Sequence, residues 1–282
     1  MRPIYYLHLL LVIGWALSGC APTSSTTIPT KATTQNYSPT FVQPTVTPIV
    51  IPIETATLTP PATLKPEQAQ ETMRTLLQEP VHCLAPCFWG ITPKQSTLGE
   101  AKNIFISLGL EINSTAFQGK DFYGVAYDFN NGLSILITLT VQDEIVTDLR
   151  VDTNPETQKI GVEREWLAYS PETLIKTYSS PSEVNLIMDT GPNPSYSIIM
   201  YFDTVDLIIE YHSYDLYSNL RICPLTDQID SVRIWMGKNP QYPPSYGIPF
   251  EEATTITMEE FSNLMTGDSD KACFTLNRNA FP

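Results

Sequence analysis

Histidine, the residue most often used for acid–base catalysis, is scarce in this 282-residue chain. Of its three histidines, only His82 and His212 lie beyond residue 19. No Gly-x-Ser-x-Gly, His-Glu-x-x-His, phosphate-loop or dinucleotide-binding motif occurs in that part of the chain. His212 lies in an alternating strand segment, which favours a sheet-surface side chain over a general base. The sequence therefore predicts no catalytic residue, no cofactor, no metal site and a protein that is not an enzyme.

Carboxylates would supply acid–base chemistry if two of them shared a proton. Asp189-Thr190-Gly191 resembles the Asp-Thr-Gly signature of aspartic proteases, but no second copy of that signature is present. A turn at the end of a strand is the favoured interpretation. The alternative is a secreted hydrolase that gathers Asp189, His212 or glutamates in a cleft. Nothing in the sequence fixes the spatial separation of the glutamate pairs Glu163 with Glu165 and Glu251 with Glu252.

The chain begins with a short apolar segment that extends from Ile4 to Leu17. It is shorter than the roughly 20 residues that cross a bilayer, so it predicts a signal peptide over residues 1–19. The string Leu17-Ser18-Gly19-Cys20 resembles the lipobox of bacterial lipoproteins. In that family the cysteine takes a diacylglyceryl group and becomes the mature N-terminus, and two acyl chains anchor a protein stably. The resemblance implies lipidation of Cys20 and a protein anchored to the extracytoplasmic face of a bacterial membrane; an ordinary cleaved signal is the alternative.

Four further cysteines, Cys83, Cys87, Cys223 and Cys273, form an even set in a chain expected to be exported, which predicts disulfide bonds. Three pairings are possible. The spacing of Cys83 and Cys87 favours that pair together with Cys223 and Cys273. A zinc site would need a second close Cys or His pair, and only His82 lies near the first pair.

Charge and composition change sharply along the chain. Residues 67–282 carry 13 Lys and Arg against 29 Asp and Glu, a net charge of −16. Such a field repels phosphate backbones and anionic lipid, so we expect no nucleic-acid partner, and membrane attachment depends on the N-terminal lipid. The 46 residues from Ala21 to Pro66 contain 13 Thr, 9 Pro and 3 Ser. This composition predicts that residues 20–66 form an extended, disordered linker.

Beyond the linker, helix and strand signals predict an α+β fold with two repeated units, residues 67–160 and 161–282. In the first unit a helix is predicted over Glu67–Gln78. A second begins at a capping box formed by Thr97 and Glu100 and ends at Gly109. Alternating apolar residues then predict three strands, the first two joined by the tight turn Asn130-Asn131-Gly132. These strands are Tyr123–Phe129, Leu133–Val141 and Ile145–Asp152.

The second unit follows the same plan, with a helix that starts at Ser170-Pro171. A last helix is predicted from a capping box formed by Thr257 and Glu260 and ends at Gly267. Cys273 lies just beyond it, close enough to be tied to the sheet by Cys223. The predicted strands are Glu183–Asp189, Tyr196–Asp203, Asp206–His212, Leu220–Cys223 and Ser231–Met236.

The string from Cys83 to Pro93, Cys-x-x-x-Cys-Phe-Trp-Gly-Ile-Thr-Pro, resembles a group of uncharacterised lipoproteins of Chloroflexota-type bacteria. More distantly, a duplicated helix followed by a strand meander is similar to the SmpA/OmlA assembly lipoproteins and the β-lactamase inhibitory protein fold. Those families are binding modules, and the resemblance implies a non-catalytic role. Related sequences tend to have Gly just before the helix, where this chain has Lys94 and Gln95.

Aromatic residues provide a possible ligand surface. This surface would consist of Trp89 beside the first disulfide, and of Tyr211, Tyr242 and Tyr246 near several prolines. The rings would contact a carbohydrate or peptide in an open groove. Packing in the core and in loops is the favoured interpretation. We therefore expect a membrane-anchored binding or assembly module for an extracytoplasmic protein or cell-wall partner. A secreted hydrolase and a carbohydrate- or solute-binding module are the alternatives.

Overall fold

The structure is a computed structural model. It describes residues 62–79, 83–117, 119–129, 132–154, 165–189, 191, 194–214, 220–227, 229–238, 247–267 and 272–281. All of these residues belong to one compact unit, Thr57–Pro282. The predicted signal peptide, Cys20 and most of the predicted linker lie outside the described residues. Among the described helices, none combines the length and apolar character needed to cross a bilayer.

Polar caps determine where the helices begin. Thr97 and Thr257 each accept a hydrogen bond from the backbone N–H of the glutamate three residues later. The carboxylate of that glutamate accepts a hydrogen bond from the backbone N–H of the threonine. Both predicted capping boxes are therefore confirmed. Ser170 caps another helix by accepting from the Thr173 N–H. The α-helices of the described part are α1 (Pro66–Gln78), α2 (Leu98–Ser107), α3 (Pro171–Tyr178), α4 (Phe250–Ala253) and α5 (Met258–Thr266).

The strands of the described part divide into one large sheet and one small sheet. They are β1 (Asn113–Phe117), β2 (Lys120–Asp128), β3 (Ser134–Gln142), β4 (Ile145–Asn154), β5 (Glu183–Asp189), β6 (Ser195–Phe202), β7 (Leu207–Ser213), β8 (Arg221–Ile222), β9 (Ser231–Met236), β10 (Ile248–Pro249) and β11 (Phe274–Thr275). Nine strands form the large sheet in the order β1-β2-β3-β4-β9-β7-β6-β5-β10, and β8 pairs with β11. Every neighbouring pair in the large sheet is antiparallel.

The predicted α+β class is confirmed, and most strand boundaries lie close to the predicted ones. β5 and β9 have the predicted bounds. The sequence does not predict β1, because all of its side chains are exposed and no apolar alternation marks it. Asn130 and Asn131 of the predicted hairpin turn lie outside the described residues, but Gly132 has φ +86°, a conformation that glycine adopts without steric cost.

The helices pack on one face of the large sheet. A cross-strand row on that face contains Val125, Ile137, Val151, Ile234 and Ile209, and each belongs to the same buried cluster as the inward side chains of the helices. Alternate strand residues point to opposite faces. The other face, which we call the helix-free face, therefore presents the residues between these positions.

Both predicted disulfide bonds are confirmed. The Cα atoms of Cys83 and Cys87 lie 5.2 Å apart, and those of Cys223 and Cys273 lie 4.1 Å apart. The first bond closes a loop to which the Tyr169 hydroxyl donates a hydrogen bond, 2.8 Å from the Cys87 carbonyl oxygen. The second links the residue after β8 to the residue before β11, so it cross-links the two strands of the small sheet.

The chain approaches α2 through Lys94, whose φ is +67°. This left-handed conformation costs a non-glycine residue about 1 kcal/mol or more. The Lys94 N–H donates to the Val146 carbonyl over 2.6 Å, and its ammonium group pairs with Asp206 at 2.5 Å. A backbone hydrogen bond and an ion pair therefore accompany a conformation better suited to glycine.

Candidate functional site

Two cross-strand rows dominate the helix-free face, because strand register places their members side by side. The first row crosses β3, β4, β9, β7, β6 and β5, and the second crosses β3, β4, β9, β7 and β6. The first contains Leu136, Asp152, Arg233, Glu210, Ile199 and Asn185. The second contains Thr138, Arg150, Trp235, Ile208 and Tyr201.

Charges alternate along the middle of these rows. Arg150 Nη2 lies 2.7 Å from Asp152 Oδ1, Arg233 Nε lies 3.8 Å from the same oxygen, and Arg233 Nη1 lies 3.4 Å from Glu210 Oε2. The side chain of Arg233 is 43% exposed, whereas that of Glu210 is only 7% exposed. The network therefore extends from a surface cation to a buried carboxylate, which hydrogen bonds keep satisfied.

Ser197 connects Glu210 to the one described histidine. The Ser197 hydroxyl donates to Glu210 Oε1 at 2.8 Å and lies 2.9 Å from His212 Nδ1. Because the hydroxyl proton points to Glu210, His212 Nδ1 acts as the donor to Ser197. In a Ser–His–acid triad the carboxylate contacts the second nitrogen of the histidine instead. The arrangement here makes buried Ser197 a hydrogen-bond bridge between two side chains.

Burial lowers the pKa of His212, and the positive charge of Arg233 acts in the same direction while Glu210 and Asp230 oppose it. The neutral imidazole is therefore the form that this environment favours near neutral pH. Its ring contacts the ring of Tyr214 edge-on, with centroids 4.7 Å apart. Tyr214 is an exposed residue at the end of β7. His212 thus links the buried network to the surface.

Several buried polar atoms on the helix-free face have no hydrogen-bond partner. In the described part of the chain they are Trp235 Nε1, Asn185 Oδ1 and Arg150 Nε, three of the six such atoms among the described side chains. Each buried polar atom left unsatisfied costs about 1–3 kcal/mol. Trp235 is 3% exposed, and the Arg150 guanidinium lies 5.6 Å from the centre of its ring.

The same face also presents exposed apolar surface. Leu136, in the same row as Arg233, is 46% exposed, and Phe117 at the β1 edge is exposed on the same face. Arg233 is 43% exposed on this face and Trp235 is buried beside Arg150, and arginine and tryptophan are residue types enriched at the centre of protein interfaces. The helix-free face is therefore the candidate functional site.

The aromatic residues singled out from the sequence lie elsewhere. Trp89 is 2% exposed and stacks on Phe88 with ring centroids 5.1 Å apart. Tyr211 is 1% exposed, and its hydroxyl donates to the Tyr169 carbonyl over 2.6 Å. Both rings belong to the helix-side core. Tyr242 and Tyr246 lie outside the described residues, as does Cys20.

The carboxylates considered for acid–base chemistry do not converge on His212. Asp189 ends β5, and its Oδ1 accepts a hydrogen bond from the Gly191 N–H at 2.8 Å, which is the geometry of an Asx turn. Glu251 accepts from the Met258 N–H near the start of α5. Glu163 lies outside the described residues, and Glu165 lines a separate cavity. The described residues contain no group of three His, Cys, Asp or Glu side chains placed to bind a metal ion.

Sequence reasoning missed the residues that form the candidate site. Arg150 with Asp152, and Arg233 with Trp235, are spaced two apart on strands, so each pair shares one face. That signal identifies a polar face within each strand. The pairing of β4 with β9 brings the two pairs together, and no local pattern encodes it.

No family model, no curated protein and no solved structure was found to match the chain.

Proposed function

We propose that this chain is a lipid-anchored extracytoplasmic lipoprotein and that its α+β domain is a non-catalytic binding module. The module holds a protein partner on the helix-free face of its sheet. The carrying observation is the exposure of Leu136 and of Arg233 on that face, beside the buried ion-pair network.

The location rests on the sequence around Cys20 and on the compartment that disulfides favour. Leu17-Ser18-Gly19-Cys20 follows an apolar segment of signal-peptide length. Two disulfide bonds within one domain are typical of proteins that fold outside the cytoplasm. The linker over residues 20–66 then separates the domain from the membrane.

The internal architecture supports a duplication. Helix α2 is followed by the antiparallel strands β1 to β4, and helix α3 is followed by β5, β6, β7 and β9. The final strands of these two series, β4 and β9, pair with each other and join the halves into one sheet. We infer two copies of one helix-and-meander unit. The same repeated order of a helix and a strand meander is the basis on which the sequence resembles the SmpA/OmlA and β-lactamase inhibitory protein families, which are binding modules.

Site-specific photocrosslinking in intact cells tests the binding role. A benzoylphenylalanine in place of Leu136 on the helix-free face is compared with one in place of Ile106, which is exposed on α2. We expect a discrete protein adduct from position 136 that position 106 does not give. The adduct should weaken severalfold in Arg233→Gln and persist in Arg278→Gln, a surface control. Equal labelling at both positions, or indifference to Arg233→Gln, would contradict the proposal.

Mass spectrometry of the mature protein tests the anchor. We expect a lipid-modified N-terminus at Cys20 and partition of the protein into detergent. A Cys20→Ser variant should lose the lipid and remain in the aqueous phase. A mature protein that begins elsewhere, or an unmodified cysteine in the membrane fraction, would contradict this part.

A further inference from the structure

A cavity separate from the helix-free face lies on the helix side of the sheet. It has a volume of about 310 Å³, within the range of small-molecule sites. Its walls come from the C-terminal half of α1, from the ends of β2 and β3, and from the segment before α3. The lining residues are Arg74, Leu77, Gln78, Phe129, Leu133, Glu165 and Trp166.

Apolar side chains form most of the cavity wall. Leu77, Phe129, Leu133 and Trp166 are all buried members of the helix-side core. Phe129 is held in place by Tyr127, whose ring meets it edge-on with centroids 4.8 Å apart. These side chains are fixed by the packing of the core, so they present a preformed apolar surface to a ligand.

Two opposite charges lie in the same cavity without neutralising each other. Arg74 and Glu165 are both half-buried, and within the described residues neither forms an ion pair or a hydrogen bond. A guanidinium and a carboxylate that line one cavity and leave each other unpaired offer separate contacts to a ligand that carries both charges.

Trp166 adds a third unsatisfied group. It is 0% exposed, and its Nε1 has no hydrogen-bond partner in the described part of the chain. A buried indole N–H normally finds an acceptor.

We infer that this cavity binds a small apolar zwitterion, of the class of amino acids with a branched or aromatic side chain. Arg74 pairs with the carboxylate, and Glu165 pairs with the ammonium group. The apolar walls enclose the side chain. This site is independent of the protein-binding role of the helix-free face.

Isothermal titration calorimetry on the full chain tests this assignment with ligands that each lack one feature. The complete ligands are L-phenylalanine and L-leucine. Glycine lacks the apolar group, 3-phenylpropionate lacks the ammonium group and phenethylamine lacks the carboxylate. We expect at least one complete ligand to bind about 10-fold or more tightly than each of the three incomplete ones, because each omission removes a charge-assisted bond or the apolar contact.

Matched variants locate the site. Arg74→Gln and Glu165→Gln should each weaken binding of the complete ligand about 10-fold or more, whereas Glu71→Gln on the exposed face of α1 and Arg278→Gln should leave it unchanged. Circular dichroism confirms that every variant is folded. Absence of binding by both complete ligands at millimolar concentration would overturn the inference. Equal binding of 3-phenylpropionate, or unchanged binding in Arg74→Gln and Glu165→Gln, would also overturn it.

Discussion

The guanidinium group of Arg150 lies over the indole ring of Trp235, 5.6 Å from its centre, although the two residues are 85 positions apart in the chain. They are direct neighbours across the junction between β4 and β9. This junction joins the first four strands to the later ones, so a cation–π contact marks the position where the two parts of the sheet meet.

A double-mutant cycle measures that contact. Arg150→Met keeps the aliphatic stem and removes the charge, and Trp235→Leu removes the ring. We expect the two variants to show a coupling energy of about 0.5–2 kcal/mol in the free energy of unfolding, measured by urea denaturation. Pairing Arg150→Met with a substitution at exposed Glu71 should give additive effects, and additivity in the Arg150 and Trp235 cycle would show that the contact contributes nothing.

The two disulfides should differ in their contributions to stability. In the chain-entropy model a bond across a few residues contributes about 2 kcal/mol, and one across fifty residues contributes about 4 kcal/mol. Cys83 and Cys87 are separated by 4 positions, and Cys223 and Cys273 by 50. We therefore expect the double variant Cys223→Ser/Cys273→Ser to unfold at lower urea than Cys83→Ser/Cys87→Ser. The reverse order would show that the hydrogen bond from Tyr169 to the short loop depends on the Cys83–Cys87 bond.

The pKa of His212 predicts a pH dependence with a defined sign. Burial places the folded-state pKa below the unfolded value of about 6.5. The unfolded chain therefore takes up the proton first, and the free energy of unfolding falls as the pH drops from about 6.5 towards the folded-state pKa. Asparagine has no titrating group, so the His212→Asn variant should lose this part of the pH dependence. Equal slopes between pH 7 and 5 for both proteins would contradict the prediction.

Lys94 permits a test of backbone strain with matched variants. Lys94→Gly and Lys94→Ala both remove the ion pair with Asp206, which is exposed and contributes at most about 1 kcal/mol. Only glycine relieves the cost of φ +67°. We expect the glycine variant to be more stable than the alanine variant by about 1 kcal/mol in urea unfolding. Equal stability would show that the positive φ carries no cost here.

The parts of the fold that local chemistry specifies could be predicted from the sequence. Capping by Thr97, Ser170 and Thr257 placed three helix starts, and alternating apolar residues placed β5 and β9. β1 carries no such signal because none of its side chains is buried. The two-residue strands β10 and β11 are too short for any periodicity.

The candidate site could not be predicted because it depends on register between strands distant in sequence. Glu210, Arg233 and Asp152 become a network only when β7 pairs with β9 and β9 pairs with β4. The burial of Trp89 and Tyr211 agrees with the packing interpretation that the sequence favours for them. Trp89 and Tyr211 belong to residue types common in binding grooves, but in this fold their hydrophobic area is used to fill the core.

The hydrogen bonds of Tyr169 have a mechanical consequence. Its hydroxyl holds the Cys83–Cys87 loop, and its carbonyl accepts a bond from Tyr211 in β7, well inside the large sheet. Tension applied from the N-terminal side reaches α1 and this loop before it reaches any strand. The load is then shared with the middle of the sheet through Tyr169, so a pull from the N-terminal side does not begin by peeling the exposed edge strand β1.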